Sequence, residues 1–187
     1  MPDALSVADA LASVLARIPA AGKPVTILID GPSGSGKSTF ADLLTSRWPA
    51  DAGRPQLVRL DDVYPGWSGL EAASRALTIE VLAPRGAGRN GRWQRWDWVA
   101  GTGAEWHPVS VDRPLVVEGC GTLSQASATM ADLRIWIEAD GRLRKSRALE
   151  RDAGAFDAHW DEWEEQWLRF VERERPAGAA DIRVNGD

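Results

Sequence analysis

Between residues 31 and 38 the chain reads Gly31-Pro32-Ser33-Gly34-Ser35-Gly36-Lys37-Ser38. This stretch matches the pattern G-x-x-x-x-G-K-[ST], in which the glycines let successive backbone N–H groups curl around a phosphate. An apolar, β-branched run over residues 25–30 precedes it, and a helix-like run over residues 39–45 follows it. Because strand, glycine loop and helix occur in the order that a phosphate site needs, the stretch predicts a nucleotide triphosphate site rather than an ordinary Gly/Ser turn.

The residue types in this loop each suit a step in binding a nucleotide. Lys37 is placed to reach the β- and γ-phosphates, and the hydroxyl of Ser38 can hold Mg²⁺. The start of the following helix adds free N–H donors and a partial positive charge. We therefore expect the nucleotide to contact Gly31, Ser33, Gly34, Ser35, Gly36, Lys37, Ser38 and Thr39.

Length and composition narrow the class of protein. The 187 residues suit a single domain spanning residues 1–187, and the net charge of −5 at pH 7 argues against a broad nucleic-acid-binding surface. No apolar run approaches the length of a membrane span, and the N-terminus lacks the basic-then-apolar order of a signal peptide. The single cysteine, Cys120, excludes a disulfide framework and fits a reducing compartment. Composition therefore predicts a cytoplasmic protein with no nucleic acid or membrane partner.

Apolar runs alternate with helical patterns along the chain, which predicts an α/β protein with a mostly parallel sheet covered by helices. We expect residues 84–91, which are rich in glycine and arginine, to form a mobile or exposed link. The strands are expected at 25–30, 56–60, 115–119, 133–138 and 181–184, and the helices at 3–18, 37–47, 70–83, 141–152 and 156–173.

Two acidic positions lie at the ends of predicted strands, where ligands gather in parallel sheets. Asp61 follows the second strand and could accept the proton of an attacking hydroxyl or hold Mg²⁺ through water. Glu118 ends a buried-type strand and could organise Mg²⁺. The alternative is that these acids, and Asp62 with them, are solvated turn residues. We favour function for Asp61 and Glu118 and leave both interpretations open for Asp62.

Three arginines are spaced three and four residues apart, which places Arg144, Arg147 and Arg151 on one face of a helix. Such a face can clamp phosphates and neutralise the charge that develops when a phosphoryl group is transferred. A solvated charged face, paired with Glu150 and Asp152, is the alternative. The phosphate loop in the same chain favours the functional interpretation.

The sequence contains two groups of aromatic residues, for which we expect different structural roles. Four residues at helical spacing near the C-terminus predict a buried stripe and are interpreted as core. Residues 92–111 predict two short strands joined by a glycine turn. Their tryptophans could line a small-molecule pocket or form a compact satellite core, and the sequence leaves both open. The core stripe is Trp160, Trp163, Trp167 and Phe170, and the second group is Trp93, Trp96, Trp98 and Trp106.

In this order, the motifs resemble those of the phosphate-loop kinases of small molecules, the group with uridine kinase, nicotinamide riboside kinase, pantothenate kinase and phosphoribulokinase. The stretch 31–38 resembles their Walker A loop. The segment Leu60-Asp61-Asp62-Val63-Tyr64 resembles their post-strand segment, whose first aspartate is taken as the catalytic base. Val117-Glu118-Gly119 resembles their Mg²⁺-organising strand end, and residues 144–152 resemble their arginine lid, which ends Arg151-Asp152.

The resemblance implies a P-loop NTPase-type parallel five-stranded sheet in the order 2-3-1-4-5, with helices on both faces. It also implies a lid helix at about 141–152. The implied activity moves the γ-phosphate of Mg-ATP to a hydroxyl of a small-molecule acceptor. The implied residues are Lys37, Asp61, Arg144, Arg147 and Arg151 for catalysis and Ser38 and Glu118 for the metal. From the chain itself we expect a substrate-binding segment at about 62–111 with a small Trp-rich insertion, in which Asp62, Tyr64, Arg95 and Asp97 contact the acceptor.

Two features depart from the family pattern. The Trp-rich segment 92–111 does not match a nucleoside-binding signature, and the helix before the first strand is an addition. The acceptor therefore stays open between nucleoside-like molecules and other small metabolites. A second class of function is an ATP-binding regulator or switch with no small acceptor. A GTPase is excluded, because Asn90 and Asn185 are both followed by glycine and neither begins an Asn-Lys-x-Asp segment.

Overall fold

The computed structural model describes residues 4–19, 24–151 and 154–187. Five of its strands form one parallel sheet in the order β2-β5-β1-β6-β7, and β3 and β4 pair separately as an antiparallel hairpin. With the hairpin strands set aside, this is the predicted order 2-3-1-4-5. The strands are β1 (Thr26–Asp30), β2 (Gln56–Arg59), β3 (Gly91–Asp97), β4 (Thr102–Val109), β5 (Leu115–Glu118), β6 (Leu133–Glu138) and β7 (Ile182–Asn185).

Helices cover both faces of the sheet, as the sequence predicted. A π-helical stretch, Leu77–Leu82, and three short 3₁₀ turns, Ala50–Ala52, Leu60–Asp62 and Asp157–His159, add to the α-helices. In the described part of the chain, no helix is both long and apolar enough to cross a membrane. The α-helices are α1 (Val7–Leu15), α2 (Lys37–Ser46), α3 (Leu70–Ala76), α4 (Ala83–Gly86), α5 (Gln125–Ala128), α6 (Gly141–Arg151), α7 (Trp160–Glu174) and α8 (Pro176–Ala179).

The central strand β1 divides the core in two, because successive side chains of a strand point to opposite faces. Ile27 and Ile29 pack in the cluster that contains the apolar side chains of α1 and α2. Leu28 packs in the cluster that contains those of α3 and α7. All five residues of β1 are buried, so the strand that leads into the phosphate loop is held from both sides.

The N-terminal helix is shorter than the predicted 3–18 because its start is fixed by a cap. The Ser6 hydroxyl accepts the backbone N–H of Asp9 at 3.2 Å, and the helix begins at Val7. Before this cap, Leu5 bridges to Val184 in β7 instead of continuing the helix. Leu11 is buried in the core cluster that contains β1 and α2, so the amphipathic helix docks on the domain.

The link predicted at 84–91 is only partly right: residues 84–86 belong to a helix, and residues 87–90 form an exposed turn. Helical structure continues from Leu70 through Gly86, and the last turn carries Arg85, which is half-buried. The guanidinium of Arg85 donates to the carbonyl oxygens of Ser110 and Arg113, the latter at 3.0 Å. This arginine ties the end of the helical segment to the chain between β4 and β5, which explains why the stretch is ordered.

The aromatic stripe of α7 is core, as predicted. All four of its side chains are buried and belong to the cluster on the α3 side of the sheet. Trp167 stacks on Trp136 of β6 with ring centroids 5.7 Å apart, and Trp163 meets Tyr64 edge-on at 4.7 Å. These contacts dock α7 against the sheet and bring its N-terminal half beside the loop that follows β2.

Candidate phosphate-transfer site

The phosphate loop joins the end of β1 to the start of α2 with a backbone that requires glycine. Gly34 and Gly36 have φ angles of +77° and +96°, in the left-handed region that favours glycine. A Cβ atom on Gly34 would also collide with the carbonyl oxygen of Arg144 in α6. The loop is thus shaped as the sequence predicted, and the lid helix packs directly on its tip.

The side chain of Lys37 lies inside the loop and is only 7% exposed. Its ammonium group donates to the carbonyl oxygen of Pro32 at 2.9 Å and lies 3.6 Å from the Cys120 sulfur. Both contacts hold the positive charge over the hollow of the loop. This is where a phosphate oxygen would take the place of the carbonyl as its partner.

Ser38 and Glu118, the two residues predicted to hold the metal, are hydrogen-bonded to each other in the site. The Ser38 hydroxyl donates to Glu118 Oε1 at 3.0 Å, and Arg59 Nη1 lies 3.9 Å from the same oxygen. Glu118 is 2% exposed, and this burial raises the pKa of its carboxyl above the ordinary value. A hydroxyl and a carboxylate fit Mg²⁺, which takes oxygen ligands and is held by one or two protein groups together with substrate phosphates. Among the described residues, no group of three or more His, Cys, Asp or Glu side chains could hold a metal ion.

Asp30, the last residue of β1, was not singled out from the sequence. Its buried carboxylate accepts the backbone N–H groups of Gly31 at 2.7 Å, Gly121 at 3.0 Å and Leu123 at 2.7 Å. Burial raises the pKa of this carboxyl to about 6. Asp30 therefore ties the base of the phosphate loop to the loop that follows β5. A strand-end aspartate directly before the glycine loop was the only signal in the sequence.

The candidate base, Asp61, lies in the 3₁₀ turn after β2 and faces a cavity of about 460 Å³. Its carboxylate is half exposed, and Asp61 Oδ2 lies 3.7 Å from Arg151 Nη1. The same cavity reaches the phosphate loop and Glu118, so the predicted strand-end groups converge on one space. Its lining residues are Ser33, Lys37, Ser38, Asp61, Tyr64, Trp67, Trp98, Glu118, Cys120, Arg151, Ala155, Phe156 and Trp163.

Aromatic rings form part of the wall of this cavity. Tyr64 is buried, and its hydroxyl donates to the carbonyl oxygen of Cys120 at 2.9 Å. Trp67 stacks on Phe156 with ring centroids 5.2 Å apart, and Trp98 packs against Trp67 at 4.8 Å. Trp67 and Phe156 were missed from the sequence, because nothing in their local pattern separates a cavity wall from core.

The three lid arginines have different partners. The Arg144 guanidinium forms a two-bond ion pair with Glu164 of α7 and lies 5.5 Å from the ring centroid of Trp160. Arg147 Nη1 donates to the carbonyl oxygen of Gly186 at 2.7 Å. Of the predicted arginine clamp, only Arg151 lines the cavity at Asp61. Asp152, which ends the predicted lid motif, lies outside the described residues.

The hairpin forms as predicted, but its charged side chains lie away from this cavity. Arg95 pairs with Glu105 at 2.7 Å and with Asp97 at 3.8 Å, and it lines a separate cavity of about 290 Å³ between the hairpin and α3. Asp62 lines neither of these two cavities, and its pKa is raised by burial and by the neighbouring Asp61 charge. Of the predicted acceptor residues, the structure brings Tyr64 alone to the cavity at Asp61.

The four tryptophans of the hairpin segment divide between the two cavities. Trp93, Trp96 and Trp106 line the smaller cavity together with aliphatic side chains of α3 and the π-helical stretch. Trp98, at the hairpin tip, lines the cavity at Asp61. The four tryptophans therefore do not form a compact satellite core, because none is buried and the side chains of Trp98 and Trp106 are exposed. They line cavities instead, as the pocket alternative expects.

Comparison with known proteins supports the fold. No protein-family model matches the chain, and no curated protein matches its sequence. A possible uridine kinase from Bacillus stearothermophilus has a similar structure, with a TM-score of 0.65 and 18% identity over 95% of this chain and 98% of that one. A candidate fructose transport system kinase from Silicibacter sp. TM1040 matches with a TM-score of 0.55 and 17% identity over 96% and 97% of the two chains. The chain has the α/β fold of P-loop kinases, as its motifs predicted.

Proposed function

We propose that this protein transfers the γ-phosphoryl group of ATP to a hydroxyl group of a small molecule. The observation that carries the proposal is the single cavity shared by Lys37 and Ser38 of the phosphate loop and by the carboxylates of Asp61 and Glu118. A loop for the donor and a carboxylate for the acceptor face the same space, as phosphoryl transfer requires. The kinase descriptions of the two structural neighbours agree with this proposal.

The nucleotide half of the site follows from the loop. Backbone N–H groups of the loop between Ser33 and Ser38 and the Lys37 ammonium would bind the phosphates of ATP. Ser38 and Glu118 would hold Mg²⁺, which neutralises phosphate charge when bound. Arg151 would add positive charge beside the transferred group, because its guanidinium already lies in the cavity. Arg144 and Arg147 would contribute only after leaving Glu164 and Gly186.

In the transfer step, Asp61 acts as the base. The acceptor oxygen forms a bond to the γ-phosphorus while the bond from that phosphorus to the bridging oxygen breaks and ADP leaves. The proton of the acceptor hydroxyl passes to the Asp61 carboxylate, which is half exposed and can receive it. Positioning and electrostatic stabilisation supply most of the rate in such reactions.

The acceptor would lie against the aromatic wall formed by Tyr64, Trp67 and Trp98. Aromatic faces bind rings and the C–H faces of sugars, so the wall suits nucleoside-like molecules and other small hydroxylated metabolites.

The test measures ADP formation with a panel of nucleosides, sugars and vitamin precursors. We expect one class of acceptor to raise the rate above basal hydrolysis, and we expect Lys37→Ala to abolish this turnover. Asp61→Asn should lower turnover at least about 100-fold, because the base is lost, while ATP affinity measured by calorimetry survives.

Asp62→Asn is the matched control, because it neutralises the adjacent carboxylate, which does not line the cavity. Its effect on turnover should be much smaller than that of Asp61→Asn. Equal turnover by wild type and Asp61→Asn would remove Asp61 from the role of base. A basal rate that no acceptor changes but a partner protein raises would favour a switch protein instead.

A further inference from the structure

Trp98, at the tip of the hairpin, contacts the turn that carries the candidate base. Its indole Nε1 donates to the main-chain carbonyl oxygen of Asp61 at 3.0 Å. Its ring also packs against Trp67, which follows the same turn. By contrast, Trp93 stacks on His107 within the hairpin, and Trp106 lies beneath the Arg92 guanidinium. Trp98 therefore links the hairpin to the main chain of the Asp61 turn through a specific hydrogen bond.

The tip of the hairpin is built to hold Trp98 in place. One oxygen of Asp97 accepts the backbone N–H groups of Val99 at 3.0 Å and Ala100 at 2.9 Å. Those two hydrogen bonds lower the pKa of the Asp97 carboxyl, so it stays ionised and keeps both donors. The Gly101 N–H donates to the Asp97 carbonyl at 2.7 Å, with a φ angle of +64° at Gly101. This closed turn presents Trp98 at its first position.

The turn that receives this hydrogen bond begins at a buried, hydrogen-bonded residue and continues into a more exposed one. The backbone N–H groups of Val63 and Tyr64 both donate to the carbonyl of Leu60, whose side chain is buried. The side chain of Asp61, one residue later, is half exposed. The indole N–H of Trp98 donates to the main-chain carbonyl of Asp61, so the hairpin restrains the backbone of the residue whose side chain is the carboxylate.

We propose that Trp98 is a positioning residue for Asp61: its indole N–H sets the place of the base, and its ring forms part of the acceptor wall. This inference rests on the proposed phosphotransfer function. It assigns the Trp-rich hairpin a role in the chemical step as well as in acceptor binding.

Trp98→Phe tests the hydrogen bond alone, because phenylalanine keeps an aromatic ring and removes the N–H. We expect kcat to fall about tenfold, the typical effect of one lost hydrogen bond, with the KM values for acceptor and ATP within about twofold of wild type. Trp98→Ala removes the ring as well, so it should also raise the KM for the acceptor. Trp106→Phe is the matched control: the residue is exposed to a similar extent, lies on the same hairpin, lines only the other cavity, and should leave all three constants unchanged.

A second measurement separates positioning from general loss of structure. If Trp98 acts through the Asp61 carboxylate, Trp98→Phe should lower kcat in wild type but add little in the Asp61→Asn background. Unchanged kcat in Trp98→Phe, or an equal loss in both backgrounds, would overturn the assignment while leaving the phosphotransferase proposal intact. If wild type transfers phosphate to no acceptor, both proposals fail together.

Discussion

Two opposing effects act on the pKa of the Asp30 carboxyl group. Three backbone N–H groups and the nearby Lys37 favour its ionised form, whereas complete burial favours the neutral acid. Burial is the larger effect, so the pKa is raised to about 6 from an ordinary value of 3.8. The residue that anchors the phosphate loop therefore titrates in a range where unfolded aspartate is already ionised.

This shift predicts how stability depends on pH. Between about pH 4 and pH 6 the folded state keeps the Asp30 proton and the unfolded state releases it, so the contribution of Asp30 to stability falls as pH rises. Relative to Asp30→Asn, which cannot titrate, the free energy of unfolding of wild type should fall by up to about 3 kcal/mol across this window. Urea unfolding of both proteins at pH 4, 5, 6 and 7 measures the difference. A difference that rises with pH would mean that the three N–H groups and Lys37 outweigh burial.

At the scale of elements, the lid helix α6 is tied to α7 by the ion pair between Arg144 and Glu164. Both side chains are largely buried, and two hydrogen bonds join them, which distinguishes this pair from the surface pairs of α7. The pair turns Arg144 toward α7 and keeps it from the cavity at Asp61. The stronger this ion pair is, the less readily Arg144 can leave it to join the predicted arginine clamp.

A double-mutant cycle measures that strength. For Arg144→Ala and Glu164→Ala we expect a coupling energy of about 1–2 kcal/mol in urea unfolding, because a partly buried two-bond pair is stronger than an exposed one. The control cycle uses Arg169 and Glu165, an exposed pair on the same helix at 3.0 Å, for which about 0.5 kcal/mol or less is expected. Coupling at Arg144 no larger than in this control would show that the pair does not hold the lid.

The sequence predicted the lid helix and the hairpin, but it did not predict which residues their side chains contact. Arginine spacing placed Arg144, Arg147 and Arg151 on one helix, but their partners lie 20 or more residues away in the chain, or on another loop, where no local pattern reports them. The hairpin was predicted from its glycine turn. Which tryptophan faces which cavity depends on how the hairpin docks, and that is a tertiary property.

For the molecule as a whole, the alternation of strands and helices predicted the fold class, and the resemblance to the phosphate-loop kinases implied the strand order. Lys37, Ser38, Asp61 and Glu118 could be predicted to lie together, because each is in the phosphate loop or at a strand end of the sheet. Asp30, Trp67 and Phe156 were not, because a buried strand-end acid and a wall-forming aromatic residue share their local patterns with ordinary core. The residues of the proposed nucleotide site could therefore be predicted from the sequence, whereas those of the proposed acceptor site depend on tertiary packing.

The central claim is that one cavity brings the γ-phosphoryl group of ATP to an acceptor hydroxyl. The most direct test incubates the protein with ATP labelled with ¹⁸O on the γ-phosphate, together with the acceptor panel, and follows the label by mass spectrometry. We predict a phosphorylated acceptor that carries the labelled group, formed by wild type and lost in Lys37→Ala. Label found only in inorganic phosphate, whichever acceptor is present, would contradict the account.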